Sequence, residues 1–135
     1  MDLMDSLKVS SSGMLGQSQR MKVAAENIAN ADSMQRANGE GPYRAKQVVF
    51  KSVLNRVSGL TELQASVQED NVSPLRPEYR PGHELADARG FVLLPNVDST
   101  VESLNMREAQ RSYEANMAAI TTARDMMGRS LDMLR

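Results

Sequence analysis

Ser99-Thr100-Val101-Glu102 opens a 36-residue run without proline, STVESLNMREAQRSYEANMAAITTARDMMGRSLDML, that ends at Leu134. Within it Met106, Tyr113, Ile120, Met127 and Leu134 recur at every seventh position, and Ala109, Met117, Ala123 and Leu131 occupy the intervening turns. A repeat of that period places one continuous apolar stripe along a helix, suited to a second helix. The opening tetrapeptide predicts a capping box, Ser99 accepting one orphan N–H and Glu102 returning to another, with the helix starting near Asp98. At 1.5 Å per residue such a helix extends about 55 Å.

Working outward, the other end repeats the pattern: Leu7, Met14, Met21 and Ile28 are seven apart, with Ser10, Ser11, Ala24 and Ala25 between them. A helix from Leu3 to about Ala31 would span about 43 Å. All 5 prolines (Pro42, Pro74, Pro77, Pro81, Pro95) fall between these segments, which leaves both ends free of the residue that breaks helices. Tyr43, Arg44, Ala45, Lys46, Gln47, Val48, Val49 and Phe50 read as a strand. Leu63 to Gln68 alternates apolar and polar, as a half-buried strand does. The two are expected to pair antiparallel. Phe91-Val92-Leu93-Leu94 is a third short run between Gly90 and Pro95, and the proline-containing stretch from Asn71 to Gly82 reads as an extended loop.

The expected fold is therefore mainly α with a small β-rich insert: long N- and C-terminal helices paired as a coiled coil, and a central antiparallel β segment. Residues 1–34 and 97–135 would form a discontinuous helical domain and 35–96 the insert. Rods of this length are too long for a compact domain of 135 residues, so apolar helix surface is left for neighbours to cover. The isolated ends are expected to be partly disordered, since one helix pair offsets little of a chain entropy of about 1–2 kcal/mol per residue. Ten methionines and no tryptophan suit seams that pack against several different neighbours.

Composition narrows the function. Sixteen Lys and Arg against seventeen Asp and Glu give no field of one sign to collect nucleic acid. No run of about 20 apolar residues predicts membrane insertion. The first residues carry Asp2 and Asp5 where a secretory signal carries basic residues, so no cleaved signal is expected. With no cysteine, disulfides, thiolate metal sites and thiol nucleophiles are excluded. The single histidine, His83, has no second His to complete a zinc site. Acidic pairs such as Glu69 with Asp70 and Glu84 with Asp87 lie in polar loops that give no reason for split pKa values. Gly39-Glu40-Gly41 lacks the third glycine and preceding strand of a dinucleotide fingerprint. No catalytic residue, cofactor site or metal site is assigned, and the chain is read as a non-enzyme.

Two segments carry a resemblance. Ser11-Ser12-Gly13-Met14, followed by Arg20 through Glu26 and then Asn27-Ile28-Ala29-Asn30-Ala31, resembles the N-terminal signature of the flagellar rod and hook axial proteins. The run from Met106 to Asn116, which ends Tyr113-Glu114-Ala115-Asn116, resembles the same family's C-terminal signature. In the middle, Tyr43–Phe50, Tyr79–His83 and Gly90–Val97 are similar to a proximal-rod member more than to its paralogues. Departures are an acidic start and Glu84-Leu85-Ala86-Asp87, where the family commonly has Pro-Asp-Ala-Asp.

The resemblance implies a structural subunit of a periplasmic, basal-body rod, exported through the flagellar type III apparatus without a cleaved signal. It implies as partners copies of itself, other proximal rod proteins, the rod-base protein FliE and the distal rod protein. Leu7, Met14, Met21, Ile28, Met106, Tyr113, Ile120, Met127 and Leu134 would then be helix-packing and subunit-interface residues. Asn27 and Asn30 either hydrogen-bond backbone at the helix end or across subunits, or, for Asn30, terminate the helix in a left-handed conformation. The rival reading from a different class is a coiled-coil adaptor or chaperone of a type III secretion system.

Overall fold

The computed structural model describes residues 3–35, 39–56 and 61–133. In chain order the elements are α1 (Leu3–Ala29), β1 (Lys46–Leu54), β2 (Thr61–Glu69), β3 (Arg76–Tyr79), β4 (Phe91–Leu94) and α2 (Ser99–Met133). The chain is mostly helical, with a small antiparallel β region between two terminal helices. The helices hold 27 and 35 residues, and so extend about 40 and 52 Å.

Local chemistry sets both inner helix ends. The Asn30 side chain caps α1 by donating from Nδ2 to the Glu26 carbonyl at 2.8 Å, while the Ser33 hydroxyl donates to Asn30 Oδ1. No described non-glycine residue has a positive φ, so α1 ends without the left-handed asparagine that was one of the two readings. The cap of α2 also differs from expectation. Asp98, not Ser99, accepts from the N–H groups of Thr100 and Val101, at 2.9 and 3.3 Å. Ser99 is already helical, and the Glu102 carboxylate turns inward to Asn27 and Asn105. An aspartate one residue ahead satisfies the orphan donors and frees the glutamate for the seam.

The helices pack antiparallel. Gly13 lies beside Asn116, Arg20 bonds Glu108, and Asn27 bonds Glu102. Rising numbers on α1 thus meet falling numbers on α2. The innermost positions are small or polar: Gly16, Val23, Ala24, Asn27 and Ala31 toward the first helix, Ala109 and Ala123 on the second. Residues with short side chains let two backbones approach closely.

β1 and β2 form an antiparallel hairpin in register from Lys46↔Glu69 to Leu54↔Thr61. The hairpin docks on α1 at Gly16, where an added Cβ would stand 2.7 Å from the Phe50 ring and 3.6 Å from Leu63. β1 begins three residues later than the expected strand because its first donors are taken elsewhere. Tyr43 N–H bonds the Ser33 carbonyl, and Ala45 N–H bonds Asn96 Oδ1 at 2.8 Å.

A second two-stranded antiparallel pair, β3 with β4, was not foreseen for the segment read as loop. Pro77 is tolerated there because a two-stranded sheet has edges at which a missing donor costs nothing. Val92 and Leu94 turn inward and are each 1% exposed, while Phe91 and Leu93 alternate outward. Phe91 meets Tyr79 edge-to-face, with ring centroids 5.3 Å apart.

Among the described residues only eight hydrophobic side chains are buried, four of them alanines, against seventeen large hydrophobic side chains that are exposed. Nine of the exposed side chains lie on the two helices, whose buried hydrophobic side chains are Val23, Ala24, Ala109 and Ala123.

Candidate functional site: the helix seam and its asparagine junction

Asn27 lies at the end of the seam nearest the insert, fully buried at 0% exposure and polar. A buried amide costs several kcal/mol unless its hydrogen bonds are made. Here all four are present. Oδ1 accepts from the Tyr43 hydroxyl at 2.9 Å and from Lys46 N–H at 2.9 Å. Nδ2 donates to the Lys46 carbonyl at 2.8 Å and to Glu102 Oε2 at 3.1 Å. The amide thus pairs with both backbone groups of Lys46, as a neighbouring strand would, and touches α1, the start of β1 and α2 at one point.

Around this amide a second asparagine extends the network. Asn96, between β4 and α2, accepts from Ala45 N–H and donates to the Asp70 carbonyl at 3.3 Å. Asp70 N–H closes on the Ala45 carbonyl at 2.8 Å, and Arg44 donates to the carbonyls of Asp70 and Ser73. Hydrogen bonds from the Ser73 hydroxyl, and then from the N–H groups of Ser73 and Val72, hold the Asp70 carboxyl below its ordinary pKa, with Arg44 adding a smaller pull. Lys46 Nζ pairs with Glu26 at 3.1 Å. Both are partly exposed, so that pair adds little.

The stripe residues occupy the flank of the seam. Leu7, Met14, Met21 and Ile28 on α1, and Met106, Tyr113, Ile120 and Met127 on α2, are all half-buried; Leu134 lies outside the described residues. Leu7 and Ile120 line the same hollow between the helices. Of the signature residues, Asn27 and Ala31 are buried, Ile28 and Asn30 half-buried, and Ala29 exposed. Asn116 faces Gly13, whose added Cβ would stand 3.2 Å from the amide. Glu114 is exposed and accepts from Gln110.

Residues set aside as candidate catalysts have structural work in turns. Asp87 Oδ1 accepts from the N–H groups of Arg89 and Phe91, each at 2.9 Å, and His83 Nδ1 accepts from Leu85 N–H. No group of acidic or histidine side chains among the described residues could hold a metal ion. No described helix is long and apolar enough to cross a membrane. The sequence pointed to Asn27 but missed Tyr43, Lys46, Glu102 and Asn96 as its surroundings. One signal was available: Gly13, Arg20 and Asn27, spaced seven apart, form a column of non-apolar residues beside the stripe.

Two long helices joined through one buried amide to a β insert describe a subunit that offers extended helix surface. Family comparison agrees in kind. Residues 7–33 match the profile "Flagella basal body rod protein", and residues 88–133 match "Flagellar basal body rod FlgEFG protein C-terminal". Both profiles describe proteins of the flagellar basal-body rod. At full length the chain is 41% identical to the flagellar basal-body rod protein FlgC of Escherichia coli O6:H1, over 98% of both chains. The FlgC of Salmonella typhimurium is 42% identical over 98% of both chains, and that of Agrobacterium fabrum 40% over 95% of this chain and 92% of the relative. The chain belongs to the FlgC family of flagellar basal-body rod proteins.

Proposed function

We propose that this structural subunit of the basal-body rod occupies the proximal part of the rod, with its paired helices packed side by side with those of neighbouring subunits as a coiled coil. Its relatives are structural rod proteins, and the chain is likewise structural and not an enzyme. The adaptor reading gives way to that assignment. The observation that carries the finer reading is the apolar surface left along both helices: Leu15 is 72% exposed, Leu104 59% and Leu131 68%. At about 25 cal/mol per Å² of apolar surface removed from water, neighbours that cover such a face stabilise the assembly substantially. Many parallel helix contacts would then carry torque.

In this reading the copies of the chain itself, the other proximal rod proteins, FliE and the distal rod protein supply the covering surfaces. The chain reaches them in the periplasm through the type III export apparatus, without a cleaved signal. An untagged copy restored to a deletion strain tests this. The mature chain should keep its encoded N-terminus, copurify with basal bodies and restore swimming. Loss of the export apparatus should strand it in the cytoplasm. A chain that stays cytoplasmic in motile cells would contradict the placement.

A further inference from the structure

The apolar repeats do not by themselves fix how the two helices are aligned. In the structure the residue numbers of facing pairs sum to 129 for Gly13 with Asn116 and for Asn27 with Glu102. On the flanking stripe the facing numbers run two lower, at 127: Leu7 shares a hollow with Ile120, and the same spacing sets Met14 by Tyr113, Met21 by Met106 and Ile28 by Ser99. A slip of seven residues preserves the stripe, because both helices repeat with the same period. It would set Leu7 against Met127, Met14 against Ile120, Met21 against Tyr113 and Ile28 against Met106. The slipped pairing matches one stripe position more than the native one, so the spacing of the stripe does not favour the native register.

We infer that Asn27 is the specificity-determining residue of helix pairing: its four hydrogen bonds can all be made in only one register, and its bonds to Lys46 pass that choice to the β insert. In the slipped register Asn27 faces Ala109, whose side chain accepts nothing, and one donor of a fully buried amide is left without its partner. The other two members of its column contribute less. Arg20 bonds Glu108 at 3.0 Å, but Glu108 is 66% exposed, and such pairs are weak. Gly13 meets Asn116 by close approach alone. A buried polar side chain at a helix seam is a general device by which helices reject near-degenerate alignments.

The inference concerns pairing within one chain and stands apart from the place of that chain in the rod. The rival explanation is that the insert sets the register, through Phe50 on Gly16 and Asn96 on Ala45. Because the chain has no cysteine, introduced pairs report cleanly. Leu7→Cys with Ile120→Cys reads the native register, and Leu7→Cys with Met127→Cys the slipped one. Both are bridged in whole cells with a short bis-maleimide and resolved on denaturing gels. With Asn27 intact only the native pair should bridge within one chain. In an Asn27→Leu background the slipped pair should gain at least about tenfold in yield, the ratio expected for one buried hydrogen-bonding partner. Glu102→Ala, at a half-exposed site, should raise it in the same direction without touching the insert.

Bridging confined to the native pair in both backgrounds would overturn the inference in favour of the insert. Loss of both bridges in Asn27→Leu, with no slipped product in Glu102→Ala, would reduce Asn27 to a general stabilising residue. Copurification of the chain with basal bodies is scored separately and tests the proposed function alone.

Discussion

Gly16 and Asp70 show how single residues hold the insert in place. At Gly16 the Phe50 ring occupies the space of a side chain, 2.7 Å from where a Cβ would stand. Gly16→Val should push the hairpin off α1 and cost about 1–3 kcal/mol through overpacking, read as faster amide exchange in β1. Gly13 faces only the end of a flexible amide, at 3.2 Å, so Gly13→Ala should cost less. Asp70 works through charge. Its carboxyl is held below the ordinary value chiefly by the Ser73 hydroxyl, so the ionised form is favoured by folding. That contribution is complete at neutral pH and is lost as pH falls through the folded-state pKa. Ser73→Ala should move the Asp70 titration, followed by carboxyl carbon shifts, back toward the ordinary value.

At the scale of elements, both helices were legible because period and proline placement act over many residues and average out local noise. Short elements were less so. β3 escaped because four residues with a proline carry no period, and its existence depends on pairing with β4, which is a tertiary fact. The cap of α2 moved from Ser99 to Asp98 because Glu102 was claimed by Asn27, across the seam, and no local pattern shows that. The stripe lies half-buried on each helix, whereas the deepest burial falls on small residues, Ala24, Ala31, Ala109 and Ala123. A charge on the stripe tests its role. Met21→Asp or Ile120→Asp buries half a carboxylate against apolar neighbours, at a cost of several kcal/mol once the seam is dry. Each should abolish swimming and rod assembly while the chain is still exported. Normal swimming would mean that these positions stay wet in the rod.

For the whole molecule the balance of buried and exposed apolar residues matters most. Eight buried hydrophobic side chains among the described residues make a small core for helices of 27 and 35 residues, and lone helices of this kind draw most of their stability from packing. Dilute purified chain should therefore melt gradually by circular dichroism and gain helix on co-assembly with rod partners. A sharp, cooperative melt of fully formed helices would show a self-sufficient fold. The family could be read from the paired signatures at the two ends, but how those ends join the insert could not. That junction rests on Lys46 backbone groups, and backbone groups leave no mark in a sequence.

In the proposed assembly the exposed helix faces are covered only in the rod. The most direct test of this is maleimide labelling of Leu15→Cys, Leu104→Cys and Leu131→Cys, one at a time, in a chain that has no other cysteine. Labelling should be rapid in the purified chain and at least about tenfold slower in intact basal bodies. Equal rates at all three positions in both states would mean that these faces stay open in the rod.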